Sequence, residues 1–371
     1  MKILILSCDT GCGHNSAAAA LSDELKRRGI EHTVFDPLTL GGKRTDRIVS
    51  ASYSGMLRKA PSAFGVIYRV GDLYSSTGIT SPVYLANAVY AKKLQAYITD
   101  GSYDRVICTH LFAMEAMTAI KRRLGGSVPC YGVMTDYTCV PFFSETRLDG
   151  YFIPHEDLRE EHIKKGIPDG LIHCTGIPVR RQFTCPVEKG EARKLLGISQ
   201  DADVALVMSG GVGCGSIGQI CAGLLKRQNG RLEVYVLTGK NAEMRVELED
   251  SFASHSGFNT VAFTDKVNLY MNASDVMISK PGGLTSTEAA VAGIPLVQLL
   301  TYTGCEKKNI EFFSSRGMSV RADSPDNAAD LAVTLIRDRD RAEKMLEAQR
   351  RYASPDAAER IIERVIEDEH A

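Results

Sequence analysis

His14 directly follows a glycine turn, Gly11-Cys12-Gly13, that ends the apolar run Ile3 to Leu6. The run reads as a buried β-strand and the Ala-rich segment from Ser16 to Leu25 as a helix. Strand, glycine turn and helix in that order make an anion site. Small residues admit a ligand to free backbone N–H groups at the positive end of the helix dipole. The same dipole disfavours an imidazolium, so a histidine there stays neutral and can accept a proton near pH 7. The stretch alone leaves its ligand open. Gly11-Cys12-Gly13-His14-Asn15-Ser16 is close to the dinucleotide pattern G-x-G-x-x-G, and Asp36 ends the next strand-like run, where a ribose-binding acid belongs. NAD, another ligand and an unliganded turn all fit.

Two further loops repeat the arrangement. Residues 207–220, VMSGGVGCGSIGQI, again read strand, glycine turn, helix. The following strand ends in Thr238-Gly239-Lys240, so an NAD site there lacks its acid. Residues 275–297 form a buried strand ending at Ser279, then the turn Pro281-Gly282-Gly283, then a helix from about Leu284. Two readings of Glu288 compete. Thr285-Ser286-Thr287-Glu288 is a T-x-x-E capping box, which needs no ligand. Otherwise the turn and helix start hold a diphosphate, and Glu288 accepts hydrogen bonds from ribose hydroxyls. D-x-D occurs at Asp201-Ala202-Asp203 and Asp338-Arg339-Asp340. The first precedes a strand, away from the ligand edge, and the second lies between helices; both read as solvated turns, so no metal is expected.

Alternating elements must position these loops. Strand-like runs at about 2–8, 32–36, 104–109, 129–134 and 149–153 alternate with helical segments. After TGIPVRRQF (175–183) the pattern restarts with DVALVMSGG, LEVYVLTG, NTVAF, DVMIS and IPLVQL. Such alternation predicts parallel sheets with right-handed crossovers, here as two doubly wound domains. Asn327–Arg337, Arg339–Tyr352 and Asp356–Glu367 read as closing helices. A chain of 371 residues, 44% hydrophobic, is long enough for two full cores. Its net charge of −1 carries no global nucleic-acid signature. No apolar run reaches membrane-span length, and the N-terminus lacks a signal-peptide pattern. The ten cysteines show no C-x-x-C pair, which fits free thiols in a cytoplasmic chain better than zinc or a disulfide framework. Residues 43–123 hold twelve Lys/Arg against five Asp/Glu, and six tyrosines fall between Tyr53 and Tyr97. Basic and aromatic residues interleaved in this way suit an anionic membrane surface; two ordinary amphipathic helices with their charges outside are the alternative.

Eight motifs, in order and with matching spacing, carry a resemblance: TGCGHNSAAAAL, TDYTCVPFF, DGYFIPHEDLREEHIKKGIP, TGIPVR, SGGVGCGS, FTDKVNLYMNASD, KPGGLTSTEA and GCEKKN. From Lys2 to about Val320 the sequence resembles the GT-B-fold glycosyltransferases of the monogalactosyldiacylglycerol synthase and processive diacylglycerol glucosyltransferase family. It is more distantly similar to the peptidoglycan N-acetylglucosaminyltransferase. The resemblance implies two Rossmann-like α/β domains facing across a cleft. The acceptor-binding domain is 1–178 and the UDP-sugar-binding domain 179–354, with the helix at 355–371 packing back on the first.

Site roles follow from the same resemblance. His14 matches the favoured general base, and Asp136 is the second candidate, as base or as orienter of His14. Gly13 lies in the first loop at the donor. Gly282, Gly283, Leu284 and Thr285 match the phosphate-binding turn, Glu288 the ribose-binding acid, and Phe263 the residue before the uracil turn. Ser209, Gly210 and Gly211 resemble the second loop at the phosphates, and Arg180 the arginine facing the diphosphate. Glu306 and Asn309 fall where the family contacts the donor sugar. The family's usual histidine and tryptophan after T-D stand here as Val140 and Phe143. The implied activity is inverting transfer of glucose or galactose from a UDP-sugar to a lipid such as diacylglycerol. It would need no cofactor, metal or nucleic acid and would work peripherally on the inner face of the cell membrane. A non-hydrolysing UDP-sugar epimerase and a non-catalytic UDP-sugar sensor are the alternatives.

Overall fold

The computed structural model describes residues 1–9, 12–41, 81–126, 128–208, 216–227, 230–301 and 304–368. The chain folds as two units. One comprises Met1–Arg181, Tyr302–Cys305 and Ser354–Ala371, and the other Gln182–Thr301 and Glu306–Ala353.

The first unit is a six-stranded sheet of β1 (Lys2–Leu6), β2 (Glu31–Phe35), β3 (Arg105–Cys108), β4 (Cys130–Val133), β5 (Gly150–Ile153) and β6 (Ile172–Cys174). Their spatial order is β2-β1-β3-β4-β5-β6, and every pairing is parallel. The central strands read as apolar runs because helices cover both faces. Helices α1 (Cys12–Arg27), α2 (Pro82–Ala88), α3 (Ala91–Asp100) and α4 (Leu111–Ala119) connect them. One core cluster joins Ile3 and Ile5 of β1 and Ile107 of β3 to Ala18, Leu21 and Leu25 of α1. It also takes in Ile361, Ile362 and Val365 from the final helix, Ala357–Glu367, which lies beside α1. Arg28 Nη2, just past α1, donates to Glu363 Oε1 of that helix at 2.9 Å. The returning chain crosses Gly176, whose φ of +97° favours glycine and where an added Cβ would lie 2.5 Å from Ser354 Cβ.

The second unit repeats the design with β7 (Asp203–Met208), β8 (Leu232–Gly239), β9 (Phe258–Ala262), β10 (Val276–Ser279), β11 (Leu296–Leu299) and β12 (Val320–Ala322). The order is β12-β11-β10-β7-β8-β9, again all parallel. A further helix, α5 (Gly283–Ala292), follows β10, and α6 (Gly304–Ser315) follows β11. Buried polar side chains cross-link this unit. Gln298 Nε2 donates to Ser286 Oγ at 2.8 Å, and Ser319 Oγ donates to Gln298 Oε1 at 2.7 Å.

The α/β fold class agrees with the sequence reading, and ten of the twelve strands among the described residues fall at the runs read from it. The two not read, β6 and β12, are three-residue edge strands without an apolar run. Part of the basic, tyrosine-rich stretch, residues 42–80, lies outside the described residues. In the rest, Tyr84 and Tyr90 are 2% and 1% exposed, so these tyrosines are core rather than surface residues. Tyr90 Oη donates to Asn87 Oδ1 at 2.7 Å, which satisfies its hydroxyl in the interior.

Candidate functional site

In an open parallel sheet, ligands bind beyond the carboxyl ends of the strands, where the chain reverses its direction of travel across the sheet. In the first unit that point lies between β1 and β3. In the second it lies between β7 and β10.

At the first switch point His14 stands near the start of α1. Its Nδ1 is 2.8 Å from the carbonyl oxygen of Thr109, just past β3. A carbonyl only accepts, so Nδ1 carries the proton and Nε2 keeps its lone pair. Thr135 Oγ1, past β4, is 3.1 Å from the same nitrogen and shares that proton. Burial pushes the His14 pKa below the ordinary histidine value. The Asp136 charge and the Thr109 carbonyl push it back only in part. The result is a neutral imidazole with a defined basic nitrogen. Asp136 is half-buried beside it and acts through its charge. Past β1, Ser7 Oγ donates to Asn15 Oδ1 at 2.6 Å, and Asn15 Nδ2 donates to Asp9 Oδ1 at 3.1 Å. Asp36 accepts from the Leu38 and Asp9 amides through its two carboxylate oxygens. It caps backbone there, which weighs against the ribose role in the NAD reading.

At the second switch point the turn Pro281-Gly282-Gly283 leads into α5. The helix starts three residues earlier than the capping-box reading requires. Gly282 is the N-cap, so Thr285 is already the third helical residue and cannot cap it. Gly282 offers no side chain to the first amides, and among the described residues the N–H groups of Gly283, Leu284 and Thr285 donate to no backbone carbonyl. Glu288 lies in the second turn and is 8% exposed. Asn309 is fully buried, with Nδ2 donating to the Pro281 carbonyl at 3.0 Å. It holds the turn from beneath. Lys280 Nζ donates to Glu306 Oε1 at 2.6 Å, and Thr301 Oγ1 donates to Glu306 Oε2 at 3.1 Å.

The remaining residues are more scattered. Gly13 is partly buried in the first turn of α1. Phe263, just past β9, is 68% exposed, with Lys240 Nζ 5.6 Å from its ring centroid. Arg180 Nε is 3.5 Å from Asp23 Oδ2. Asp23 lies about 13 Å along α1 from His14 at 1.5 Å per residue, so the structure does not bring Arg180 into the His14 cluster. Ser209, Gly210 and Gly211 lie outside the described residues. Asp203 opens β7 at the end opposite the site, and Asp338 accepts from the Arg341 amide at 3.0 Å. Among the described residues no three His, Cys, Asp or Glu side chains group as metal ligands. Phe143 is 5% exposed and belongs to the core. Sequence reasoning missed Thr109 and Thr135 as partners of His14; their one signal was a position directly after a strand.

Two solved structures share this architecture across nearly the whole chain. One is MurG of Acinetobacter baumannii, with a TM-score of 0.63 and 14% identity over 98% of this chain and 99% of that one. The other is the UDP-GlcNAc 2-epimerase of Neisseria meningitidis bound to UDP-GlcNAc, with a TM-score of 0.65 and 17% identity over 99% and 100%. The two units thus define a GT-B fold. The monogalactosyldiacylglycerol (MGDG) synthase model matches residues 14–179, and the glycosyltransferase family 28 C-terminal domain matches 204–318. The processive diacylglycerol beta-glucosyltransferases of Bacillus pumilus (strain SAFR-032) and Bacillus subtilis (strain 168) are 27% and 25% identical. Each alignment covers 99% of this chain, and 94% and 95% of theirs. Over nearly its whole length the chain is thus similar to glycosyltransferases that join these two domains.

Proposed function

We propose that this glycosyltransferase moves a hexose, glucose or galactose, from a UDP-sugar to the hydroxyl of a lipid acceptor such as diacylglycerol, with inversion. The observation that carries the reading is the single tautomer of His14. A neutral imidazole whose Nε2 is the basic nitrogen can take the acceptor hydroxyl proton as that oxygen attacks the sugar C1. The bond from C1 to the diphosphate breaks at the same time, and UDP leaves with the electron pair. Attack opposite the leaving group inverts the anomeric centre. In this reading the uncapped amides of α5 take the developing phosphate charge through preorganised dipoles, and no metal is required. Glu288 takes the ribose hydroxyls, Phe263 flanks the uracil, and Glu306 faces the sugar.

The acceptor reading draws on the diacylglycerol-using relatives and on the surface of α2 and α3. Leu85 and Val89 are exposed there beside the exposed Lys92 and Lys93. This face would rest on anionic lipid, with the protein peripheral on the cytoplasmic side. Among the described residues no helix is long and apolar enough to cross a membrane.

The test is incubation with labelled UDP-glucose or UDP-galactose and diacylglycerol vesicles, with and without a chelator. The expected product is a β-linked glycolipid formed equally in both. A UDP-sugar altered without acceptor would mark an epimerase, and tight UDP binding without turnover would mark a sensor. Activity lost in chelator and restored by magnesium would overturn the metal-free mechanism.

A further inference from the structure

His110 is the N-cap of α4, and the structure gives it a second part. It is 5% exposed at the carboxyl end of β3 and caps α4, its Nδ1 accepting from the Phe112 amide at 3.1 Å. That bond puts its own proton on Nε2 and fixes its rotamer. One side of the ring meets His14, with centroids 4.4 Å apart and planes at 79°. Phe112 packs on it as well, at 4.6 Å and 66°. His14 is therefore held by the Thr109 carbonyl at Nδ1 and by a wall made of the next residue in the chain, itself braced by Phe112.

We propose that His110 is a positioning residue for His14, locking it in the orientation and tautomer that present Nε2 as the basic nitrogen. The inference rests on the reading of His14 as general base. Two bonds to one nitrogen leave the imidazole free to tilt off the Thr109 carbonyl that selects its tautomer, and a displacement of about an ångström at the base costs on the order of a hundredfold in rate. The T-shaped neighbour removes that freedom. It also excludes water, so the imidazolium is disfavoured. The titratable groups that act on the pair are few. Asp136, after β4, favours charge on His14, and a charged His14 in turn disfavours charge on His110.

Asparagine at 110 keeps the cap, because its side-chain oxygen can accept from the Phe112 amide, but removes the ring. His110→Asn should therefore melt near wild type. It should lower kcat about 10- to 100-fold while KM for the UDP-sugar stays within twofold. The acid limb of kcat/KM should move up in pH as water reaches His14. Ring-nitrogen NMR should show His14 passing from one tautomer to a mixture. His110→Ala, which loses cap and ring, separates the two parts. If Asn restores full activity where Ala does not, His110 is a cap only and the proposal falls. An unchanged His14 tautomer in His110→Asn overturns it as well. If His14→Ala proves fully active, the base reading fails instead, while the tautomer measurement still decides what His110 does to His14.

Discussion

In the proposed reading the two switch points of this molecule solve different problems with different parts of the chain. At β1 and β3 the proposed working group is a side chain, His14, held by the Thr109 carbonyl, the Thr135 hydroxyl and the His110 ring. At β10 the proposed working groups are backbone amides, and Gly282 places no side chain on them. The contrast follows from the charge each must handle. A proton needs one titratable atom with a tuned affinity, and burial provides the tuning. A diphosphate spreads its charge over several oxygens, and a row of fixed dipoles answers that without titrating. Side-chain substitutions should therefore break the first site chemically and the second only through binding.

The largest effect is expected at His14. His14→Ala should cut turnover by roughly 10²- to 10⁴-fold and leave UDP affinity, read by calorimetry, near wild type. If turnover survives, Asp136 becomes the base and the side-chain half of the comparison moves to β4. The pH profile sharpens it further. Burial lowers the His14 pKa, so the imidazole is already neutral at pH values below the ordinary 6.5 and charges only as pH falls further. The acid limb of kcat/KM should lie below 6.5. Asp136→Asn, which removes the charge opposing the burial, should move it lower still. A limb above 6.5 would mean that Asp136 outweighs desolvation.

Burial also shapes a second group in the first unit, with no functional gain that the structure shows. Glu115 of α4 is fully buried, and among the described residues neither carboxyl oxygen has a hydrogen-bond partner. Desolvation, helped by Glu145, raises its pKa to about 9. A carboxyl protonated in the fold and ionised in the unfolded chain loses stability as pH rises from the ordinary carboxylate range towards 9. At pH 7 this linkage costs roughly 3 kcal/mol at most. Glu115→Met should raise the melting temperature at pH 8, with the gain shrinking near pH 5. Parallel stability–pH curves for variant and wild type would refute the protonated state.

On the backbone side the corresponding substitution is Glu288→Ala. It should weaken UDP by about 1.5–3 kcal/mol, the usual worth of a hydrogen bond to a charged group, without changing the melting temperature through capping, since Glu288 is not at the N3 position of a helix whose N-cap residue is Gly282. Unchanged UDP affinity would leave the buried carboxylate a structural part of the helix.

What the sequence made readable follows the same division. Periodicity finds strands that carry apolar runs, and the doubly wound order puts the loops after β1 and β10 at strand ends, so the fold class and the place of His14 at a strand end could both be read. Contacts made by backbone carbonyls leave no residue-type signal. Thr109 fixes the His14 tautomer through an atom every residue has, and nothing in its identity announces that. The capping-box reading fell three residues from the true N-cap because T-x-x-E has the composition of a capping box wherever it falls, and only the helix boundary shows that Thr285 lies inside. Tyr84 and Tyr90 misled for the reverse reason. Tyrosine suits both a wet interface and a core with a hydroxyl partner, and Asn87 supplies that partner for Tyr90.

The smallest effect is expected at Gly282, where the backbone side is most open to test. Its φ of −71° and ψ of 138° suit any residue, and an added Cβ would meet nothing within 4 Å. The fold therefore does not require glycine there. Alanine caps a helix less well than glycine, by several tenths of a kcal/mol, but it also lowers the entropy of the unfolded chain by a similar amount. The two changes should nearly cancel, leaving the melting temperature of Gly282→Ala within a few degrees of wild type. The new methyl group would still stand at the mouth of the α5 amides, so UDP should bind severalfold more weakly. A variant that is destabilised shows the glycine to be structural after all. One that is stable and binds UDP fully shows that the ligand does not approach this turn, and the amide half of the comparison would then fall to the glycine loop after β7.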